Sequence, residues 1–146
     1  MYNPDTRTWR TVSNDSVIPH TKAGTPAKNG TGSFYSAPGI HRPFLAYYGG
    51  SWLAQNMRQA LQELAPKIEF TVYSYSTPIA FRIAGVWLKI DDRFSATTST
   101  RHQTHLWQLD ARPVMRDATA EDILRIARGQ MSYVPEYRKP GRLVAV

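Results

Sequence analysis

Apolar and polar residues alternate through much of residues 67–90, and this pattern limits the possible folds more than any other feature of the chain. The alternating segments are residues 67–74, 79–83 and 86–90. A period of two is typical of strands with one buried face. Only Ala84 and Gly85 separate the last two segments, which predicts a β-hairpin. Pro78 predicts a bend or bulge between the first two.

Two amphipathic helices are predicted on either side of these strands. Residues 51–65 place apolar side chains on one helical face, and Pro66 ends the pattern. Residues 120–128 form the second helix, with Thr119 and Asp122 spaced as in a capping box.

Two other segments leave alternatives open. Residues 94–98 favour a strand and residues 101–109 favour a helix, although a further strand fits the second stretch as well. Residues 131–146 end in an apolar run that fits either an edge strand or a docked tail.

The first third of the chain has a different composition. Thirteen of the 24 residues in 20–43 are Gly, Pro, Ser, Thr or Asn. A segment of this kind buries little apolar surface to offset its loss of chain entropy. We therefore predict an extended, flexible N-terminal arm over residues 1–45, which packs on its own domain or folds onto a partner.

The predicted fold class is α+β. We expect a small antiparallel sheet of three to five strands, formed within residues 67–100 and packed with the two helices. Residues 46–146 then form a single domain that ends in a basic C-terminal tail, preceded by the arm.

Composition excludes several classes of protein. The chain has no cysteine, which excludes disulfides, thiolate catalysis and Cys-ligated zinc. No apolar run approaches the roughly 18 residues of a membrane-spanning helix, and no signal peptide is evident. We expect a soluble protein of the cytoplasm that has no membrane contact and needs no cofactor.

Positive charge is the most informative functional feature, since the net charge is +7. Residues 93–116 and 123–146 account for all of it. Arginine pairs with phosphate through two hydrogen bonds and stacks on bases. The predicted nucleic-acid contacts are Arg93, Arg101, Arg112, Arg116, Arg125, Arg128, Lys139 and Arg142.

Residues of catalytic type are present, but in weak patterns. His102 and His105 have the spacing of two ligands on one helical face, yet the sequence lacks the H-E-x-x-H pattern of zinc proteases. The Ser/Thr-rich residues 95–100 lie near His102 without the glycine-flanked serine of a nucleophile elbow. We assign no catalytic residue and no metal ligand, and we expect a protein that is not an enzyme.

The central part of the chain resembles a group of small uncharacterised bacteriophage proteins, especially those of actinobacterial phages. The shared residues are VYSYSTPIA at 72–80, Gly85-Val-Trp87, residues 94–99 and His102-Gln103. The resemblance implies a viral protein that acts inside a bacterial host, and it implies no activity. A structural role for these residues is the favoured interpretation; a functional one places Tyr75, Ser99, Arg101 and His102 along one polar groove.

The leading hypothesis is a small phage accessory protein that binds DNA or RNA through its arginine-rich surface. The alternative is an interaction module that binds and modulates a bacterial host protein. A metal- or histidine-dependent enzyme built on His102 and His105 ranks third.

Overall fold

Short strands and helices alternate along the chain. The computed structural model describes residues 10–40, 53–75, 77–92, 94, 97–136 and 139–146. The strands are β1 (Arg10–Thr11), β2 (Ala27–Lys28), β3 (Phe34–Pro38), β4 (Ile68–Ser74), β5 (Thr77–Ile83), β6 (Val86–Asp91), β7 (Arg112–Met115), β8 (Met131–Glu136) and β9 (Lys139–Ala145). The α-helices are α1 (Asn14–Lys22), α2 (Gln55–Leu64) and α3 (Ala120–Ala127).

The sheet is larger than predicted and mixed in direction. Within the described residues, β1 to β7 form one seven-stranded sheet in sequence order, while β8 and β9 form a separate two-stranded sheet. Strands β2 to β6 are antiparallel, whereas β1 pairs with β2 and β6 pairs with β7 in parallel. The prediction of a three- to five-stranded antiparallel sheet is therefore wrong, although the α+β class is right.

The predicted hairpin is confirmed. Strands β5 and β6 pair from Ala80↔Lys89 to Ile83↔Val86. The turn residues Ala84 and Gly85 have φ of 51° and 76°, the left-handed backbone that two-residue turns of type I′ require. Pro78 lies within β5, next to a register shift in its pairing with β4, as expected for a proline at a bulge.

The predicted extended arm is wrong over residues 10–40, the part of it that the structure describes. This stretch supplies α1 and three strands of the main sheet, and Val17, Ile18 and Phe34 are fully buried. Its polar residues are paired inside the fold: Thr21 Oγ1 lies 2.7 Å from the Val17 carbonyl oxygen and 2.6 Å from Ser36 Oγ. Specific hydrogen bonds thus compensate for the low apolar content. The rest of residues 1–45 lies outside the described residues.

The segment between β6 and β7 is helical. Residues Thr98–His102 form a π-helical turn and Gln103–Leu109 a 3₁₀-helix, here called the crossover helix over residues 98–109. The expected strand over 94–98 is wrong at Thr98, because the chain must cross over to reach β7 in parallel with β6. Residues 95 and 96 lie outside the described residues.

The C-terminal residues form a hairpin, which agrees with the edge-strand alternative and not with the docked tail. Strands β8 and β9 pair antiparallel, with Tyr133 opposite Leu143. The Tyr133 ring covers Gly141, where an added Cβ would collide with the ring. Glycine is needed here because only its bare backbone admits the aromatic side chain from the neighbouring strand.

One hydrophobic core joins these elements. Helix α1 and the crossover helix contact each other, and α2 packs on α3, which also contacts β6, β7 and β8. The core includes Ile18 of α1, Leu61 of α2 and Ile126 of α3. In the part of the chain that the structure describes, no helix is long and apolar enough to span a membrane.

Candidate functional site

The turn between β2 and β3 forms one wall of a polar cleft, and Asn29 organises it. The Asn29 side chain is buried and accepts a hydrogen bond from the Phe34 N–H at 3.1 Å. Its amide nitrogen donates to Asn14 Oδ1 at 2.8 Å and to Ser33 Oγ at 3.0 Å. An asparagine bonded in this way replaces backbone pairing within a turn, so residues 29–33 are held against α1.

His102 lies at the base of the cleft, where it is 1% exposed. Its Nδ1 is 2.6 Å from Ser74 Oγ, which is in turn 2.7 Å from Thr98 Oγ1. Its Nε2 faces Ser33 Oγ at 3.5 Å. The imidazole also stacks on Phe34, with ring centroids 4.8 Å apart and planes 7° from parallel. Both ring nitrogens are thus directed at serine hydroxyls.

The environment of His102 favours the neutral imidazole. Burial lowers its pKa below the usual 6.5, and the nearby His105 and Arg101 lower it further. A neutral imidazole carries one N–H donor and one acceptor nitrogen. With the proton on Nδ1, directed at Ser74, Nε2 is an acceptor that faces Ser33.

Tyr75 forms the opposite rim of the cleft. Its φ of 55° is unusual for a residue with a side chain, and its N–H donates to the Ser33 carbonyl oxygen at 2.6 Å. The side chain is 53% exposed, and its ring centroid is 5.8 Å from that of His102. Strained backbone of this kind persists only where the surrounding structure holds it, and it is concentrated at functional sites.

The resulting cleft, here called the histidine cleft, has a volume of about 480 Å³. It is lined by residues 29–33 together with Asn14, Tyr75, Thr97, Arg101 and His102. Among the described acidic residues, none forms an ion pair with Arg101. The cleft therefore combines an available cation, an exposed aromatic ring and many hydrogen-bonding groups.

A second cleft, here called the tryptophan cleft, lies along the same crossover helix. It has a volume of about 400 Å³, and Lys89, Asp91, Thr104 and Trp107 are among its lining residues. Trp107 is 74% exposed, an unusual state for the largest apolar side chain. Each cleft thus contains an exposed aromatic side chain and a cation, and the tryptophan cleft also contains the Asp91 carboxylate, which is hydrogen-bonded to Tyr133.

The predicted nucleic-acid contacts are dispersed. Arg101 lines the histidine cleft, whereas Arg128 lines a different cleft beside Lys67 and Glu69. These two clefts lie at opposite ends of β4. At about 3.3 Å per residue, the length of this strand separates them by roughly 25 Å.

Two more of these arginines have partners within the fold. Arg112 donates to the carbonyl oxygens of Ile126 and Ala127, at 2.8 and 3.0 Å, and so caps α3. Arg125 pairs with Glu121 at 2.7 Å. Arg116 is exposed after β7, and Arg142 is exposed on β9. Arg93 and the side chain of Lys139 lie outside the described residues.

The alternative groove prediction is partly realised, since Tyr75, Arg101 and His102 line one cleft. The side chain of Ser99 lies outside the described residues. Sequence reasoning missed the two serines that face the His102 ring, Ser33 and Ser74. Ser33 is 69 residues from His102 along the chain. No local pattern connects residues so far apart; only strand pairing of Phe34 with Ser74 brings them together.

The two candidate metal ligands face different partners. The rings of His102 and His105 both stack on Phe34, but His105 Nε2 is 3.8 Å from Asp15 Oδ1, while the nitrogens of His102 face Ser33 and Ser74. Across the described ranges, no cluster of three or more His, Asp or Glu residues could hold a metal ion.

The sequence model of a family of unknown function, DUF8033, matches residues 12–122. The chain belongs to this family. The DUF8033 match contains every residue that lines the histidine cleft, and it ends within α3, before the β8–β9 hairpin. No curated protein and no solved structure is similar enough to the chain to count as a match.

Proposed function

We propose that this DUF8033 protein binds single-stranded nucleic acid along its crossover helix. The observation that carries the proposal is the pair of neighbouring clefts, each with an exposed aromatic ring beside a cation. Bases stack on aromatic side chains, and cations neutralise the phosphates between them. Tyr75 with Arg101 and Trp107 with Lys89 are the two proposed contact pairs.

The geometry of the crossover helix supports a continuous path between the clefts. Arg101, Thr104 and Trp107 are exposed at every third position, as expected where a 3₁₀-like helix presents one face. At about 2 Å per residue in the 3₁₀ segment and less in the π-helical turn before it, Arg101 and Trp107 are roughly 10–12 Å apart along the axis. That distance corresponds to roughly three or four stacked nucleotides.

A single strand fits this surface better than a duplex. Stacking on Tyr75 and Trp107 requires bases that are not already stacked in a helix. The net charge of +7 adds a general attraction for phosphate, which salt weakens. The proposed setting is the cytoplasm of a bacterial host, as the phage resemblance implies.

Fluorescence anisotropy with a labelled 12-nucleotide DNA or RNA of random sequence, from 50 to 300 mM salt, tests the proposal. We expect Trp107→Ala to weaken binding roughly 5- to 100-fold, the range for losing one stacked base. We expect Arg101→Ala to weaken binding and to lower the salt dependence by about one ion. Arg116→Ala, an exposed arginine outside both clefts, is the matched control and should change affinity less than twofold.

Two results would overturn the proposal: no binding at 50 mM salt, or an equal loss from Arg116→Ala and Arg101→Ala.

The residue types in these clefts also favour a second candidate, a host-protein contact, because Trp, Tyr and Arg dominate the energetics of protein interfaces. Capture of one defined protein from nuclease-treated host lysate, lost in Trp107→Ala, combined with no affinity for oligonucleotides, would favour this candidate.

A further inference from the structure

We infer that Ser33 is a nucleophile activated by His102, and that the histidine cleft hydrolyses a small carboxylic ester that carries a negative charge. This inference goes beyond nucleic-acid binding and does not depend on it. It rests on three side chains from separate parts of the chain that form a line at the base of the cleft: Ser33, His102 and Ser74.

The arrangement has the elements of nucleophilic catalysis: a hydroxyl, a base beside it, and a third group that orients the base. Ser33 Oγ and His102 Nε2 are 3.5 Å apart, at the outer limit of a hydrogen bond. Catalytic hydrogen bonds are often this long in enzymes without substrate. On the other side of the ring, Ser74 Oγ holds Nδ1 at 2.6 Å. Stacking on Phe34 fixes the plane of the imidazole.

Ser33 is also held and accessible. The Asn29 amide donates to Ser33 Oγ at 3.0 Å, and Thr31 Oγ1 lies 2.8 Å from the same oxygen. When Thr31 is the donor of that bond, the Ser33 hydroxyl proton can turn towards His102. Ser33 is partly exposed and lines the histidine cleft, whereas Ser74 and His102 are buried behind it. Of the two serines, only Ser33 is in position to meet a substrate.

The reaction proceeds in two halves. Ser33 Oγ attacks the ester carbonyl carbon while its proton passes to His102 Nε2, giving a tetrahedral oxyanion. The C–O bond to the alcohol then breaks, the alcohol takes the proton from His102, and an acyl group remains on Ser33. Water repeats the sequence: it attacks the acyl carbon, gives its proton to His102, and releases the acid as Ser33 regains a proton.

The lining of the cleft limits the substrate. Arg101 supplies a cation for a carboxylate or phosphate on the ester, and Tyr75 supplies an aromatic wall. A volume of about 480 Å³ suits a small molecule. Because a serine replaces the carboxylate that usually orients the histidine, the imidazolium is less stabilised and turnover should be slow.

Covalent labelling provides the test. The full-length protein is incubated with a fluorophosphonate probe, and the modified residue is located by mass spectrometry of peptides; hydrolysis of p-nitrophenyl acetate and p-nitrophenyl succinate is followed in parallel. We expect the label on Ser33. Ser33→Ala should lose the label and lose hydrolysis by at least 100-fold. The unsubstituted protein should hydrolyse the charged succinate ester faster than the acetate ester. Ser16→Ala, a partly exposed serine of α1 outside the cleft, is the control and should retain both.

His102 is tested by the pH dependence of the labelling rate. Labelling should rise as the imidazole loses its proton, and Ser74→Ala should lower the rate while Ser33 remains the labelled residue. The inference would be overturned if the unsubstituted protein carries no label on Ser33 although its melting temperature is the same before and after the incubation. It would also be overturned if any other serine is labelled at the same rate as Ser33. Labelling and oligonucleotide binding are measured separately on the unsubstituted protein, so failure here and failure of nucleic-acid binding are separate results.

Discussion

At the scale of single residues, His102 shows how a polar side chain is accommodated in a core. Buried polar groups are costly unless they are hydrogen-bonded, and the nitrogens of His102 face the hydroxyls of Ser33 and Ser74. The same burial disfavours its charged form and lowers its pKa. One environment therefore keeps the ring neutral, the form in which one nitrogen is an acceptor.

This pKa shift predicts a loss of stability in acid. Below pH 6.5 the unfolded chain binds a proton at His102 that the folded chain resists, so the free energy of unfolding should fall as the pH falls from 6.5 towards the lowered pKa of the folded state. Urea denaturation between pH 8 and pH 4 measures this. His102→Asn should flatten the curve in that window relative to the unsubstituted protein. An identical slope in His102→Asn would contradict the prediction.

At the scale of elements, helix α3 is determined by local signals. Thr119 accepts a hydrogen bond from the Asp122 N–H at 3.1 Å, and the Asp122 carboxylate accepts one from the Thr119 N–H at 3.1 Å. This reciprocal capping box satisfies two backbone donors that the helix itself leaves unpaired. The helix therefore begins where the sequence predicts. The crossover helix, by contrast, begins in a Ser/Thr-rich stretch whose local preference is extended.

Removal of the cap should have a measurable cost. We expect Thr119→Ala to lower the free energy of unfolding by about 1 kcal/mol, because the Asp122 N–H loses its acceptor. Thr119→Ser keeps the hydroxyl and should cost less than half as much. Equilibrium urea unfolding of the three proteins measures the difference, and equal losses in the two variants would show that the cap hydrogen bond is not the cause.

At the scale of the whole molecule, residues 10–40 belong to the same core as the rest of the chain. Helix α1 contacts both the sheet and the crossover helix, and Phe34 of β3 stacks under His102. The DUF8033 match begins at residue 12, which agrees with this extent of the fold. The histidine cleft exists only because this N-terminal segment covers the end of β4.

A core substitution in α1 tests this integration. Ile18 is fully buried, so Ile18→Ala should lower the free energy of unfolding by about 2–5 kcal/mol while unfolding remains a single transition. Lys22→Ala, on the exposed side of the same helix, should change it by less than about 0.5 kcal/mol. A cost below 1 kcal/mol for Ile18→Ala would indicate a loosely attached arm.

The sequence by itself determined the elements that local physics controls. Alternation identified β4 to β6, and the two residues Ala84 and Gly85 marked the turn of the β5–β6 hairpin. A capping box and an apolar face specified α3. In each case the signal lies within a few residues, because side-chain direction and backbone conformation depend on near neighbours.

Tertiary structure decided the rest. Strands β1 to β3 form from a polar segment because distant residues, such as Ser36 for Thr21, supply its hydrogen-bond partners. Strand β7 joins in parallel through a helical crossover that alternation does not reveal. Ser33 meets His102 across 69 residues for the same reason. Pairing and packing between remote segments depend on the whole chain, so no short stretch of sequence encodes them.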